Sequence, residues 1–179
     1  GVGSVKMVGP EAVRLGARKV LVLTDPGVMK AGLIDKIRPW LEQESLEVDV
    51  YAEVQPEPPV ENFEQCLNMA RAKGYDLFIG VGGGSSMDMA QLLSVMCTNP
   101  GTVYDYFGVN KVLKPGLPKI AVPTTAGTGS EVTAIGILTV KEQELKIGVV
   151  SPYMIPDVAI VDPELTLSMP PKVTAATGM

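Results

Sequence analysis

The sequence predicts an α/β fold in which helices cover a mostly parallel β-sheet. Short apolar runs rich in β-branched residues alternate along the chain with segments whose apolar residues recur at helical spacing. Hydrophobic residues make up 46% of the chain against 20% charged residues, which argues against disorder. A chain of 179 residues is long enough for one domain and too short for two of ordinary size. We therefore expect one domain over residues 1–179.

The first strands and helices are predicted from local patterns. Lys19–Thr24 reads KVLVLT, which is typical of a buried strand, and the segment Asp25-Pro26-Gly27 ends it. Helical spacing of apolar residues from Val28 to Glu44 predicts a helix that Gly32 interrupts. Glu47–Tyr51 is predicted to be the next strand.

The middle of the chain predicts a helix, a strand and a second helix. Val60, Phe63, Leu67 and Ala70 fall on one face of a helix that Gly74 ends. Leu77–Val81 is the most strand-like segment, and it leads through three glycines into a helix from about Ser86 to Met96.

The last part of the chain predicts mainly strands. Ile120–Val122 is predicted to be a short strand, and Ala134–Val140 with Lys146–Val150 is predicted to form a β-hairpin around a charged turn. Val158–Val161 is the last predicted strand. Pro170–Met179 resembles the first turn of a helix.

Composition and charge exclude several classes of partner. A net charge of -5, without any Lys/Arg run longer than a pair, leaves no basic face for nucleic acid. The first residues do not resemble a signal peptide, and the apolar stretches are shorter than the ~20 residues of a membrane span. We expect a soluble, cytoplasmic protein. Cys66 and Cys97 lie in apolar, helix-like stretches and are predicted to be buried thiols.

Glycines between a predicted strand and a predicted helix form the first candidate binding site. Val81–Asp88 reads VGGGSSMD. Glycine lets the backbone approach a ligand closely, and the following helix presents free N–H groups to an anion such as a pyrophosphate. The spacing is not the usual G-x-G-x-x-G fingerprint, and a tight turn explains the glycines equally well. Asp88 either faces the ligand or is a solvated acid favoured by the helix dipole.

A hydroxyl-rich loop is the second candidate site. Pro123–Thr133 reads PTTAGTGSEVT and directly follows a predicted buried strand. Open α/β sheets bind ligands at the carboxyl ends of their parallel strands, and hydroxyls with backbone amides bind anions or amides well. The alternative is a polar loop that caps Glu131 and its neighbours. The hydroxyls of this loop belong to Thr124, Thr125, Thr128 and Ser130.

With the final segment PDVAIVDPELTLSMPPKVTAATGM, these motifs closely resemble the iron-containing (group III) alcohol dehydrogenase family. The resemblance runs from GVGS at the start to TGM at the end. It implies a Rossmann-like domain with the β-hairpin appended, and hydride transfer between an alcohol or aldehyde and NAD(P). A divalent metal, expected to be iron, would polarise the alcohol in the full-length protein. Glycerol dehydrogenases and dehydroquinate synthases match the threonine loop and the final segment poorly.

The resemblance also implies which residues contact the cofactor. Asp88 falls where the family has an acid near the nicotinamide, and Leu165 matches an apolar contact to the cofactor. Lys146 matches a lysine that faces the cofactor, although an exposed hairpin lysine is an equal interpretation. The pyrophosphate turn and the loop that holds phosphate and nicotinamide ribose are matched by Gly83, Gly84, Ser85, Thr124, Thr125, Thr128 and Ser130.

Three further positions bear on cofactor binding. Asp25 falls where NAD-preferring members carry an acid beside the adenosine ribose, which predicts NAD over NADP. Equally, Asp25 starts a turn before Pro26. Gln91 replaces the lysine of the family's D-x-A-K pattern, so that lysine's role is lost or taken by the amide. Glu57 replaces an asparagine, and we expect its carboxylate near the adenine-ribose position.

The chain contains no histidine. In the family, the segment after TGM continues with an Asp and, one helical turn later, a His. These two residues hold the metal with two further histidines from an all-helical second domain. We therefore expect a dinucleotide-binding domain truncated at both ends, without catalytic or metal-binding residues and inactive alone; a homodimer is compatible with the resemblance. The alternatives are a sugar-phosphate cyclase of the dehydroquinate-synthase type and a stand-alone nucleotide-binding module.

Overall fold

The computed structural model describes residues 1–177, which form two sheets and six α-helices. The helices are α1 (Val8–Arg14), α2 (Pro26–Lys30), α3 (Leu33–Glu42), α4 (Val60–Lys73), α5 (Gly84–Met96) and α6 (Pro171–Thr177). The strands are β1 (Lys19–Leu23), β2 (Glu47–Tyr51), β3 (Leu77–Gly82), β4 (Gly108–Val109), β5 (Lys119–Pro123), β6 (Ile135–Val140), β7 (Leu145–Val150) and β8 (Val158–Ala159). None of these helices is both long and apolar enough to cross a membrane.

The main sheet has five strands in the order β2-β1-β3-β5-β8, and all of its neighbours are parallel. The chain first adds β2 on one side of β1 and then returns to add β3 on the other side. The carboxyl ends of β1, β3 and β5 therefore lie side by side where the strand order changes direction, which is where open α/β sheets bind ligands. The predicted α/β fold is confirmed.

Strand β1 shows how the two faces of the main sheet are used. Val20 and Val22 belong to the apolar core beneath α1, α2 and α3. Leu21 and Leu23 point the opposite way, into the core formed with α4 and α5. Because successive side chains of a strand alternate between faces, a sheet buried on both sides needs a continuous apolar run such as KVLVL.

Helix α5 lies in the middle of the molecule. Every residue from Ser86 to Met96 is buried, because β3 lies on one side of the helix and the smaller sheet on the other. Gly80 in β3 permits the close approach: a Cβ there would lie 2.7 Å from Met87 Cα and 2.8 Å from the Ser86 carbonyl oxygen. The N-terminus of α5 is therefore held firmly against the end of β3.

The smaller sheet contains the predicted hairpin. Strands β6 and β7 are antiparallel and are joined by a turn that ends at Glu144, which has a left-handed φ of 50°. The short strand β4, which the sequence did not predict, pairs in parallel with β7. Leu138 of the hairpin is fully buried and joins the core around α4 and α5.

Several predicted boundaries are shifted. Helix α5 begins at Gly84 and not at Ser86, so that the third glycine of the motif is already helical. The last strand ends at Ala159 and not at Val161. The prediction that Cys97 is buried is wrong, because Cys97 follows the last residue of α5 and is partly exposed; Cys66 is buried as predicted. The end of the predicted C-terminal segment, residues 178–179, lies outside the described residues.

Candidate functional site

Three loops meet at the carboxyl edge of the main sheet. Asp25 follows β1, the glycine turn follows β3, and the threonine loop follows β5. The backbone N–H of Thr124 donates to the Gly82 carbonyl at 2.9 Å, which extends the pairing of β3 and β5 into the loops. The topology thus brings together the two motifs that the sequence singled out and the predicted ribose contact.

A cleft of about 520 Å³ opens on one side of the glycine turn. Asp25, Gly83, Thr124 and Thr125 form its polar part. Leu165, which is 1% exposed, lines the same cleft. The other apolar residues of the wall come from α2, the start of α3 and the C-terminal segment: Val28, Ala31, Leu33, Met169 and Val173. The wall of the cleft therefore combines apolar and polar groups.

A smaller pocket of about 160 Å³ opens on the other side of the turn. Gly84, Ser85 and Asp88 of α5 form one wall. The opposite wall is formed by Glu57, Pro58, Ile137, Thr139 and Lys146. The N-terminus of α5 therefore stands between two pockets, which suits a ligand with two arms joined by an anionic centre.

The glycine turn leaves the first N–H groups of α5 free for such a ligand. Gly83 is the N-cap residue and no side chain caps the helix. Gly82 has a φ of 151°, and a Cβ there would lie 2.6 Å from Ser86 Oγ, so that only glycine fits. A Cβ on Gly84 would lie 3.1 Å from Ser130 Oγ, which shows how closely the turn and the threonine loop pack.

Buried polar atoms without partners concentrate around this turn. Within residues 1–177, five buried side-chain oxygens lack a hydrogen-bond partner: Thr24 Oγ1, Ser86 Oγ, Asp88 Oδ1, Gln91 Oε1 and Thr125 Oγ1. All of them belong to the end of β1, to α5 or to the threonine loop. Unpaired buried polar groups are costly and rare, and Asp88 and Thr125 line the two pockets. The residues present therefore fit a polar ligand that supplies hydrogen bonds at this edge.

Helix α5 also holds the threonine loop in place. The buried Gln91 amide donates from Nε2 to the Ser130 carbonyl at 2.6 Å. Ser130 is itself 8% exposed, whereas Thr128 is exposed at the tip of the loop. Where the family pattern has lysine, this chain thus uses a neutral amide to tie the two candidate motifs together.

Asp25 fulfils the structural role that the sequence left open. Its Oδ1 accepts hydrogen bonds from the backbone N–H groups of Gly27 at 2.8 Å and Val28 at 3.0 Å, and so caps α2. The residue also lines the larger cleft, where Lys30 stands on the same side. Since one carboxylate oxygen makes the cap, the other is available to a ligand.

Asp88 is a buried carboxyl group beneath the smaller pocket. Its Oδ2 accepts from the Ile137 backbone N–H at 3.1 Å, while Oδ1 lacks a partner within the described chain. Burial raises the pKa of Asp88 to about 6, and the Ile137 backbone N–H and the Ser130 side chain oppose this shift. Asp88 is therefore not the solvated first-turn acid of the alternative interpretation.

Asp88→Asn is expected to stabilise the chain at high pH. The raised pKa means that the folded chain binds this proton more tightly than the unfolded chain. The stabilisation that this tighter proton binding gives the folded chain is fully present below about pH 4, and it is lost as the pH rises through about 6. Urea unfolding should show the variant more stable than the wild type by roughly 1–3 kcal/mol at pH 8. At pH 4 this advantage should disappear; an equal advantage at both pH values would contradict the assignment.

Glu57 lines the smaller pocket, whereas Asp25 lines the larger cleft. The expectation that the Glu57 carboxylate lies near the adenine-ribose position stays a prediction. Glu57 accepts an ion-pair hydrogen bond from Lys146 at 2.5 Å. Lys146 lines the wall of the smaller pocket and is exposed on the hairpin, and its contact with the cofactor stays a prediction.

Sequence reasoning missed three kinds of residue. Gly80 was passed over, and Gly82 was noted only as part of the glycine motif, because the importance of both lies in the Cβ-sized space that they leave for α5. Ser168, Met169 and Val173 complete the larger cleft, but nothing in their local pattern signals a binding wall. Gln91 was noted only as a departure from a pattern, and its link to Ser130 required the packed structure. Among residues 1–177, no group of three or more His, Cys, Asp or Glu could hold a metal.

Comparisons with known proteins give a consistent result. A sequence profile of the iron-containing alcohol dehydrogenases matches residues 1–163. Long-chain-alcohol dehydrogenase 1 of Geobacillus thermodenitrificans is 49% identical over 182 aligned positions, covering 100% of this chain and 46% of the relative. The chain spans about half the length of the curated relatives that it matches.

Two solved structures have the same fold over the whole chain. The crystal structure of 1,3-propanediol oxidoreductase superposes with a TM-score of 0.96 at 37% identity, covering 100% of this chain and 47% of that one. Sulfoacetaldehyde reductase from Bifidobacterium kashiwanohense, solved in complex with NAD+, superposes with a TM-score of 0.90 at 34% identity. That match covers 99% of this chain and 47% of the reductase.

Proposed function

The chain belongs to the iron-containing alcohol dehydrogenase family, and from this premise we propose that it is the dinucleotide-binding domain of a metal-dependent alcohol dehydrogenase. The observation that carries the proposal is the uncapped N-terminus of α5 between two pockets, surrounded by buried oxygens without partners. The relatives described above are all dehydrogenases or reductases, so they support this activity over a cyclase.

In this proposal, NAD lies across the glycine turn. The adenosine occupies the larger cleft, with Leu165 against the adenine and Asp25 beside the ribose. The pyrophosphate accepts hydrogen bonds from the free N–H groups at the start of α5. The nicotinamide riboside reaches the smaller pocket, next to Ser85 and Lys146. The threonine loop, tied down by Gln91, closes over the middle of the cofactor.

The bound cofactor would supply a nicotinamide ring that accepts or donates a hydride. The residues of this chain bind and orient that ring and keep water away from its buried side. We propose that the metal, expected to be iron, and the alcohol or aldehyde are held by parts of the full-length protein outside this sequence. It follows that the 179-residue chain alone does not oxidise alcohols. We also propose that the protein is cytoplasmic and forms a homodimer.

Titration of the chain with NAD and NADP tests the proposal, and Asp25→Asn tests the role of the ribose contact. We expect saturable binding of both dinucleotides, with NAD bound more tightly, because a carboxylate accepts from the ribose 2′-OH and repels a 2′-phosphate. Asparagine keeps an oxygen for the cap of α2 but removes the charge that repels a 2′-phosphate, while Lys30, which lines the same cleft, keeps its positive charge. The NAD/NADP affinity ratio should fall by roughly tenfold.

Isothermal titration calorimetry measures both affinities, and the unfolding temperature without ligand serves as the control for the cap. Asp25→Gly is a useful second variant because it removes the cap as well as the charge. If the wild type already binds NADP as tightly as NAD, or if Asp25→Asn leaves the ratio unchanged, Asp25 only caps the helix. If neither dinucleotide binds, the proposed function is wrong.

A further inference from the structure

An ion pair crosses the mouth of the smaller pocket. Lys146 Nζ lies 2.5 Å from Glu57 Oε1, and the two side chains are 55% and 65% exposed. Of the residues that line this pocket within the described chain, Lys146 is the only cation, whereas Glu57 and Asp88 are both acids. Without a ligand, the positive charge of Lys146 is therefore already paired with the carboxylate of Glu57.

The backbone of Glu57 is held independently of its carboxylate. Its N–H donates to Ser85 Oγ at 3.3 Å, and its carbonyl accepts from Thr139 Oγ1 at 3.0 Å. Thr139 also donates its N–H to the Pro58 carbonyl at 2.9 Å. These bonds hold the backbone around Glu57 against the glycine turn on one side and the hairpin on the other. Glu57 itself has a left-handed φ of 48°. A change of the side chain alone thus leaves the wall of the pocket in place.

We propose that Glu57 competes with the anionic dinucleotide for Lys146 and so lowers the affinity of the site. The inference rests on the proposed function, because it concerns the same ligand. An ion pair as exposed as Glu57–Lys146 is weak, so that Lys146 is readily exchanged to another anion. A lysine donates stronger, charge-assisted hydrogen bonds to a phosphate oxygen.

The remaining carboxylate opposes binding in a second way. Once Lys146 turns to the dinucleotide, Glu57 stands unpaired at a pocket that already contains the buried Asp88. The repulsion between Glu57 and the pyrophosphate acts across solvent, so added salt screens it. The loss of dinucleotide affinity that Glu57 causes should therefore be largest at low ionic strength.

The test is a calorimetric titration of the chain with NAD and with AMP. The variants are Glu57→Gln, Lys146→Gln and the double variant, and Glu142→Gln is the matched control. Glu142 lies in the exposed hairpin turn and its change alters the net charge equally. AMP lacks the second phosphate and the nicotinamide riboside, so in the proposed arrangement it reaches the start of α5 but does not enter the smaller pocket.

Glu57→Gln should tighten NAD binding by roughly twofold to fivefold at low salt and leave AMP binding unchanged. Lys146→Gln should weaken NAD binding, and in its background the gain from Glu57→Gln should shrink. Glu142→Gln should change neither ligand.

Unchanged or weaker NAD binding by Glu57→Gln, in a chain whose wild type binds NAD, overturns the inference and leaves the proposed function standing. An equal gain for AMP and NAD overturns it as well, because the effect would then be one of general charge. If the wild type binds neither ligand, both the proposed function and this inference fail.

Discussion

Gly84→Val is expected to weaken NAD binding to this chain by roughly tenfold to a hundredfold, which is the cost of overpacking a tightly packed site. A Cβ at this position would lie 3.1 Å from Ser130 Oγ and 3.6 Å from Thr128 Cβ. The two further methyl groups of valine would push the threonine loop away from the N-terminus of α5. Since Gln91 holds that loop through the Ser130 carbonyl, the displacement would also strain a buried hydrogen bond.

Calorimetry with NAD measures the loss, and urea unfolding shows whether the fold has survived. Gly84→Ala is the graded control: it adds only the Cβ, so its loss of affinity should be smaller. Equal NAD binding by the wild type and a folded Gly84→Val chain would mean that the glycine turn is only a tight connection between β3 and α5.

Gly80→Ala should destabilise the whole domain by about 3 kcal/mol, the upper part of the usual range for overpacking. The new Cβ would meet two backbone atoms of α5, Met87 Cα at 2.7 Å and the Ser86 carbonyl oxygen at 2.8 Å. Backbone atoms cannot move aside as a side chain does. The helix would have to shift as a body, although it is packed on β3 and covered by the smaller sheet.

Gly83→Ala is the matched control for Gly80→Ala. It adds the same methyl group to a residue with an ordinary, negative φ, and its nearest neighbour would be Thr125 Oγ1 at 3.4 Å. Urea unfolding should place Gly83→Ala within about 1 kcal/mol of the wild type. A Gly80→Ala chain as stable as Gly83→Ala would show that α5 and β3 are less tightly packed than their geometry indicates.

Local patterns determined most of the secondary structure in advance. The run KVLVLT, the helical spacing after Val60 and the turn residue Gly74 predicted β1 and α4, with shifts of no more than a few residues. These features are predictable because propensity, periodicity and turn chemistry act between residues that are close in sequence. The glycine turn and the threonine loop were recognised for the same reason, since each motif is contiguous.

Side-chain partners were decided by tertiary structure. Glu57 and Lys146 are 89 positions apart, and Gln91 and Ser130 are 39 apart. No local pattern relates such residues, so the ion pair between Glu57 and Lys146 could not be predicted from the sequence. Asp25 was predicted either to start a turn or to contact the ribose; the structure shows that it caps α2, and the ribose contact stays a prediction.

The sequence by itself thus determined the α/β fold, most of its strands and helices and the two motifs of the site. The packed structure decided which pocket each residue lines, that Asp88 is buried and that Gly80 and Gly82 are required. The physical reason is that backbone conformation depends mainly on neighbouring residues, whereas burial, pKa and ion pairing depend on the register of strands and the approach of helices.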